Sequence, residues 1–178
     1  MAHAFLGPSG LDAALLCQLK IHAEKGLPNN SNRNSAEGTA AHELAAKCLE
    51  TGANAAGHIG EQILVDDFFF EVDADMARHV QTYVDYVREL QGPDGILLVE
   101  QSLSIEQLTG EVGAKGTADA VVIVGDVMHV VDLKYGMGVV VEAEDNAQLR
   151  AYGVAALWQF DLAYDIRYLE LHIVQPRV

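Results

Sequence analysis

Residues 116–134 read GTADAVVIVGDVMHVVDLK, and this stretch decides the fold. Two apolar runs rich in β-branched residues flank the dipeptide Gly125-Asp126, a pattern typical of a β-hairpin with a type II′ or I′ turn. If these two residues form the loop, Val124 pairs with Val127. Each pair further from the turn then keeps the same sum of residue numbers, so the whole register follows from the turn.

The predicted register brings two like charges together. Counting outward from the turn, Asp119 lies directly opposite Asp132. Because side chains alternate along a strand, Lys134 shares a face with Asp132. Directly opposed carboxylates destabilise a sheet unless a cation lies between them, and at the cross-strand spacing of about 5 Å they can share one ion. The pattern therefore predicts a divalent metal site with Lys134 beside it.

The remaining elements indicate an α/β protein. Sequence patterns predict helices over residues 9–26, 36–51, 74–91 and 145–159, and strands over 63–65, 68–72, 96–104 and 167–175. Both faces of the hairpin strands are apolar, as expected for the centre of a sheet that is covered on both sides. The order helix, three strands, helix, strand predicts a mixed central β-sheet flanked by helices.

Composition places the chain among globular proteins. It has 178 residues, half of them apolar, so we expect a single domain over residues 1–178. No apolar run is long enough to span a membrane, and the N-terminus lacks the features of a secretory signal, so a cytoplasmic protein is expected. In that compartment Cys17 and Cys48 are predicted to be free thiols.

The charge balance argues against a nucleic-acid partner. The chain has 26 acidic and 11 basic residues, a net charge of −15, whereas surfaces that bind DNA are usually basic. Binding to DNA would need a local basic strip, a metal that neutralises the site carboxylates, or a partner that delivers the DNA. The candidates for a strip are Lys115, Lys134, Arg150 and Arg167.

Four motifs, in the order in which they follow one another along the chain, resemble those of the PD-(D/E)XK nuclease superfamily. An aspartate, a hairpin and Asp132-x-Lys134 form its active-site signature. GTAAHE at residues 38–43 is similar to the helical Gly-x-x-x-His motif of the RecB-like branch, and QLRAY at 148–152 is similar to its Gln-x-x-x-Tyr helix. The GTAD and the closing HIVQPR at 172–177 resemble a phage- and prophage-encoded family of unknown function. The resemblance covers nearly the whole chain and implies a restriction-endonuclease-like core of order α-β-β-β-α-β.

This resemblance implies a metal-dependent deoxyribonuclease that hydrolyses phosphodiester bonds, more specifically an exonuclease of phage recombination or DNA processing. Its partners would be DNA and a recombination or helicase protein. The metal would be Mg²⁺ or Mn²⁺, and an imidazole ligand suits Mn²⁺ better. The implied metal ligands are His42, Asp119, Asp132 and the backbone carbonyl of Leu133.

The same resemblance assigns the other site residues. Lys134 would act with Asp119 and Asp132 in catalysis by holding the attacking water and the scissile phosphate. Gln148 and Tyr152, one helical turn apart on one face, would contact DNA.

The residues alone leave alternatives open. His42 fits a core histidine, and Glu43 could replace it as a ligand if the helix is rotated. Gln148 and Tyr152 also fit a packed helix and its rim. Glu100 reads as a structural strand residue, with contact to the metal or its water as the second option.

A second function also stays open. The acidic charge and the end of the chain at Val178, directly after the last strand, suit a catalytically idle nuclease-fold interaction module in a phage recombination complex. Since similar chains continue beyond this point, the sequence predicts either a fragment of a longer protein or a short natural form.

Overall fold

The computed structural model describes residues 7–17, 19, 23 and 32–178. Short 3-10 turns lie at Pro8–Gly10 and Ala55–His58. The helices are α1 (Leu11–Leu16), α2 (Arg33–Thr51), α3 (Ala74–Gln91), α4 (Glu106–Thr109) and α5 (Ala147–Tyr164). The strands are β1 (Gln62–Val65), β2 (Phe68–Glu71), β3 (Ile96–Ser104), β4 (Lys115–Val124), β5 (Val127–Leu133) and β6 (Tyr168–Val174).

A four-stranded mixed sheet forms the centre of the molecule, in the order β3-β4-β5-β6. Strands β3, β4 and β5 are antiparallel neighbours, and β6 pairs with β5 in parallel through the α5 crossover. Strands β1 and β2 form a separate hairpin. The prediction of an α/β protein with a mixed sheet is therefore confirmed, and the predicted early strands are the separate hairpin.

The central hairpin has the register that its turn predicts. Val124 pairs with Val127, and the regular ladder runs to Ala120 opposite Val131. Gly125 has a φ of +60°, while Asp126 is not among the residues with positive φ. This combination belongs to a type II′ turn, in which only the first central residue needs the left-handed region.

Two apolar layers cover the sheet. Residues of α2 and α3 pack on one face, against β4 and β5 residues such as Val122 and Val131. Residues of α5 pack on the other face, against residues such as Val121 and Val130. Neighbouring positions of one strand thus face opposite layers, which explains why the hairpin sequence is apolar at nearly every position.

Polar side chains set where the long helices begin. Ser35 N–H donates to Asn32 Oδ1 at 3.0 Å, and Asn32 N–H donates to Ser35 Oγ at 3.1 Å, a reciprocal cap that starts α2 at Arg33. Asp73 caps α3 and Asn146 caps α5, each by accepting one backbone N–H, from Met76 and Leu149 respectively. The predicted start of α2 at residue 36 was therefore wrong by a turn, because its cap lies in a stretch that resembles a polar loop.

The helix predicted over residues 9–26 is not continuous. α1 ends at Leu16, since Cys17 has the extended angles φ −149° and ψ 98°. No side chain caps its start at Gly10. The predicted end at Gly26 lies outside the described residues. Cys17 is exposed and Cys48 is buried, and both are free, as predicted. None of the described helices combines the length and apolar character that crossing a membrane requires.

Candidate functional site

The first contact of the site joins α2 to β4. His42 Nδ1 lies 2.9 Å from Asp119 Oδ1. The helix comes close to the sheet because its inner face carries small side chains, with Ala40 and Ala41 fully buried and Ala45 nearly so. The side chain of His42 keeps 30% of its exposure and that of Asp119 keeps 15%, so the pair lies at the edge of the core and can be reached by solvent.

Asp119 also reaches the neighbouring strand through its second oxygen. The backbone N–H of Leu133 donates to Asp119 Oδ2 at 2.7 Å. The regular pairing of β4 with β5 stops at the preceding step, Ala120 with Val131. One carboxylate therefore fastens a histidine from α2 to the end of β5. The structure gives the Leu133 N–H this role, while its carbonyl as a metal ligand stays a prediction.

Glu100 completes the group on the opposite side of β4. Its backbone φ of +47° is rare for a residue other than glycine. At this residue the β3–β4 ladder is interrupted, between the pairs Val99–Ala120 and Gln101–Ala118. Donor atoms of His42, Glu100 and Asp119 all lie within 4.8 Å of one another. The sequence reading favoured a structural role for Glu100. The one local signal is a charge in the middle of an apolar strand.

Asp132 and Lys134 form the adjoining part of the site. Lys134 Nζ lies 2.7 Å from Asp132 Oδ2 and donates to Gln148 Oε1 at 2.9 Å. Asp132 is 4% exposed, and apart from this ion pair its Oδ2 has no hydrogen-bond partner. The structure thus brings Gln148 of α5 to Lys134, whereas Asp132 lies outside the group formed by the other three donors.

Tyr152 lies behind Gln148 in the packed layer under α5. It is 7% exposed and belongs to the apolar cluster on that face. Gly116, the first residue of the GTAD motif, makes room for it, because a Cβ there would lie 2.7 Å from Tyr152 Cε1 and 2.5 Å from Pro8 Cγ. The glycine of the motif therefore has a packing role. Contact of Tyr152 with DNA stays a prediction.

Acidic groups dominate the electrostatics of the site. Burial, and then the charge of Asp119, raise the pKa of Asp132 and the pKa of Glu100 above their ordinary values. Burial lowers the pKa of His42, but the hydrogen bond and charge of Asp119, with Asp132 and Glu100, outweigh it and leave the pKa raised. All three groups therefore hold protons more tightly than usual; for Asp132 and Glu100 burial is the main cause, and the charge of Asp119 adds to it.

The alternative ligand and the basic strip find little support. Glu43 is exposed and lines a groove of about 420 Å³ with Thr39, Lys47 and Glu50, next to the donor group but not part of it. The rotation of α2 therefore presents His42. Three of the four proposed strip residues are paired with carboxylates: Lys134 with Asp132 at 2.7 Å, Arg150 with Asp145 at 3.0 Å and Arg167 with Asp165 at 3.5 Å.

The donor set fits a hard or borderline divalent ion. Two carboxylates and one imidazole suit Mg²⁺ and, because of the nitrogen, Mn²⁺ in particular. Burial, together with the charge of Asp119, raises the pKa values of Glu100 and Asp132, so their ionised forms are destabilised in the absence of a metal. A cation bound here would relieve the repulsion among Glu100, Asp119 and Asp132.

Comparison with known proteins assigns a family but no activity. Residues 3–178 match the family described as “Protein of unknown function (DUF2800)”, and the chain belongs to this family. No solved structure matches the chain. The function therefore has to be inferred from the site.

Proposed function

We propose that this member of a family of unknown function is a divalent-metal-dependent deoxyribonuclease with a PD-(D/E)XK, RecB-like core. The supporting observation is the meeting of motifs that lie far apart in the sequence. His42 of α2 touches Asp119 of β4, and Lys134 touches both Asp132 and Gln148 of α5. Together with Glu100, these side chains bring carboxylates, an imidazole and an ammonium group together on neighbouring strands and helices.

His42, Glu100 and Asp119 would hold the ion, with Asp132 next to them. A bound Mg²⁺ or Mn²⁺ would polarise the scissile phosphate and lower the pKa of water. His42 Nδ1 lies 2.9 Å from Asp119 Oδ1, so it is the ring nitrogen placed to share an ion with this carboxylate. The Leu133 N–H keeps the Asp119 carboxylate in place from the other side.

Lys134 would hold the attacking water and a phosphate oxygen. Its ammonium is already directed by two partners, Asp132 and Gln148, so its position costs little reorganisation when substrate arrives. A lysine held in this way donates hydrogen bonds to developing negative charge. Gln148 is then a positioning residue that acts through Lys134.

Cleavage of DNA tests this function. Linear and covalently closed circular DNA are incubated with the full chain in the presence of Mg²⁺ or Mn²⁺. We expect cutting that requires the metal, and Lys134→Ala should reduce the rate by about 10²–10⁴-fold, the usual contribution of a positioned proton-transfer group. Cutting of the linear form alone would identify an exonuclease.

Arg78→Ala is the matched control, because it removes one cation from an exposed salt bridge on α3, away from the site. It should cut like the wild type. If wild type and Lys134→Ala are equally inactive on both substrates with both metals, the nuclease proposal is wrong for this chain.

A second function, an interaction module without catalysis, is favoured by charge. The chain carries −15, and the groove beside His42 is lined by Glu43, Glu50 and Glu100 with Lys47 as the cation. Such a surface repels phosphate in the absence of metal. Calorimetric titration separates the two functions, since an idle module needs no ion. Absence of Mn²⁺ and Mg²⁺ binding at millimolar concentration would favour the interaction module.

A further inference from the structure

A second group of donor side chains lies on β5 and β6, on the face of the sheet that packs against α3. It consists of His129, Glu170 and His172, and their donor atoms lie within 4.8 Å of one another. The parallel register pairs His129 with Glu170, and His172 follows two positions later on the same face of β6. Strand pairing thus fixes the three side chains as neighbours.

The distances within this group suit a small tetrahedral ion. His129 Nδ1 lies 3.1 Å from His172 Nε2 and 3.2 Å from Glu170 Oε2, and His172 Nε2 lies 3.6 Å from the same oxygen. Ligand atoms about 2.0–2.1 Å from a tetrahedral centre are separated by about 3.3–3.4 Å. Each observed separation is within a few tenths of an ångström of that edge.

Burial divides the group into an inner and an outer part. The imidazole side chains keep 12% and 16% of their exposure, for His129 and His172 respectively, whereas the carboxylate of Glu170 keeps 55%. The nitrogens are therefore shielded from bulk water, and the carboxylate lies at the opening. No fourth His, Cys, Asp or Glu among the described residues joins the group, so a fourth ligand position would face solvent.

Tyr86, on α3, contacts His172 from behind the group. Its hydroxyl lies 2.9 Å from His172 Nδ1, the ring nitrogen that does not face the group. Metal-binding histidines usually give their second ring N–H to such a partner, which fixes the tautomer and the ring orientation. With Nδ1–H donating to the Tyr86 oxygen, Nε2 carries the free lone pair directed at His129 and Glu170.

We propose that His129, Glu170 and His172 bind Zn²⁺, with a water at the fourth position, and that the ion fastens the edge strand β6 to β5. Two imidazoles and one carboxylate are ligands that Zn²⁺ takes readily. The ion would link two paired strands whose connection along the chain runs through α5. With the single carboxylate of Glu170, the bound site would carry a net charge of +1.

Calorimetric titration with Zn²⁺ tests this site. The titration uses the metal-stripped full chain carrying His42→Ala, so that the first donor group is disabled. We expect one equivalent of Zn²⁺ to bind and to raise the melting temperature. His172→Ala in the same background should weaken binding by at least about 100-fold, and Tyr86→Phe should weaken it by about 10-fold, the lower end for loss of a hydrogen-bond partner behind a metal ligand.

Glu170→Gln guards against a folding artefact, because this exposed side chain can lose its charge without disturbing the core. It should weaken Zn²⁺ binding by at least 10-fold and leave the metal-free melting temperature within about 2 °C of its parent. Unchanged Zn²⁺ affinity in both His172→Ala and Glu170→Gln would overturn the proposal. So would the absence of Zn²⁺ binding to the parent, which would leave the group as a network of hydrogen bonds.

Discussion

The sheet carries two donor groups, and their difference lies in the balance of oxygen and nitrogen. The first group, His42, Glu100 and Asp119, has two carboxylates and one imidazole. The second group, His129, Glu170 and His172, has two imidazoles and one carboxylate. Oxygen-rich sites suit Mg²⁺ and Mn²⁺, and nitrogen-rich sites suit Zn²⁺. The two proposed sites would thus differ in the ion they prefer because their ligand atoms differ.

The side chains next to the two groups also differ in charge. Lys134 and Asp132 adjoin the first group and add an ion pair to it. The second group has a tyrosine behind it, which can orient a ligand but offers no charge. The first group thus has charged side chains beside it that are held in place by their own partners, whereas the second group has a neutral hydroxyl.

The largest expected effect is on the affinity of each donor group for its own metal ion. Asp119→Asn keeps an oxygen for the Leu133 N–H but removes a charge, and should lower Mn²⁺ affinity by about 100-fold or more without changing Zn²⁺ affinity at the second group. His172→Ala should lower the Zn²⁺ affinity of the second group and leave the Mn²⁺ affinity of the first group unchanged. Titration of both variants with both ions measures this. A variant that weakens both ions equally would show that the groups are not independent.

Loss of the Gln148 side chain should affect only the first group. Gln148→Ala removes one of the two partners that hold Lys134, and a misplaced catalytic group costs about 10²-fold in rate. We expect DNA cleavage to fall by about 10–100-fold with little change in Mn²⁺ affinity, because Gln148 is not a donor. Gln81→Ala on α3 is the matched control away from both groups. A fall in Mn²⁺ affinity that equals the loss of rate would contradict a positioning role.

Two glycines should respond in opposite ways. Gly116→Ala places a Cβ against Tyr152 and Pro8 and should lower the free energy of unfolding by about 1–3 kcal/mol. Gly38→Ala, within α2, meets nothing within 4 Å and should raise it by about 0.5–1 kcal/mol. Urea denaturation measures both changes. If Gly116→Ala proves neutral, Tyr152 is not packed against β4, and the support behind Gln148 is weaker than described.

The smallest effect concerns pH. Since folding raises the pKa of Glu100 above 4.5, its contribution to stability is full below that pH and is lost as the pH rises through the folded pKa. Relative to Glu100→Gln, the metal-free wild type should therefore lose stability as pH rises from about 4.5 to 8, by about 0.5–1 kcal/mol for such a partly exposed charge. Thermal melts at several pH values measure the difference.

Saturating Mn²⁺ should reverse this trend, because the ion needs the ionised carboxylate. Glu89→Gln on α3 serves as a control for the loss of one negative charge elsewhere. A wild type that gains stability over Glu100→Gln as the pH rises, without metal, would show that Glu100 is not repelled by Asp119.

The fold was predictable where local chemistry fixes it. The Gly125-Asp126 turn has two residues, so it determines the whole β4–β5 register, and Gly52 with φ +73° ends α2 where the sequence predicts. The break at Cys17 was not predictable, because the flanking residues are as suited to a helix as those of α1. The start of α2 was missed because Asn32 can cap a helix or lie in a loop.

The site was predictable only in part for a related reason. Asp119, Asp132 and Lys134 belong to one hairpin, so spacing alone relates them. Glu100 lies opposite Asp119 through the β3–β4 register, with a positive φ that interrupts the ladder, and no local pattern reveals either feature. The second donor group was invisible in the sequence, because it depends on which strand pairs with β6 after the α5 crossover.

The two-residue turn also influences the order in which the protein folds. Hairpins of this kind close within about 1–10 μs, and their contacts are among the most local that a sheet can form. The other two donors of the first group, His42 of α2 and Glu100 of β3, join that hairpin across longer stretches of chain. We therefore expect β4 and β5 to pair early in folding, while the proposed ability to bind an ion arises only when β3 has paired and α2 has docked.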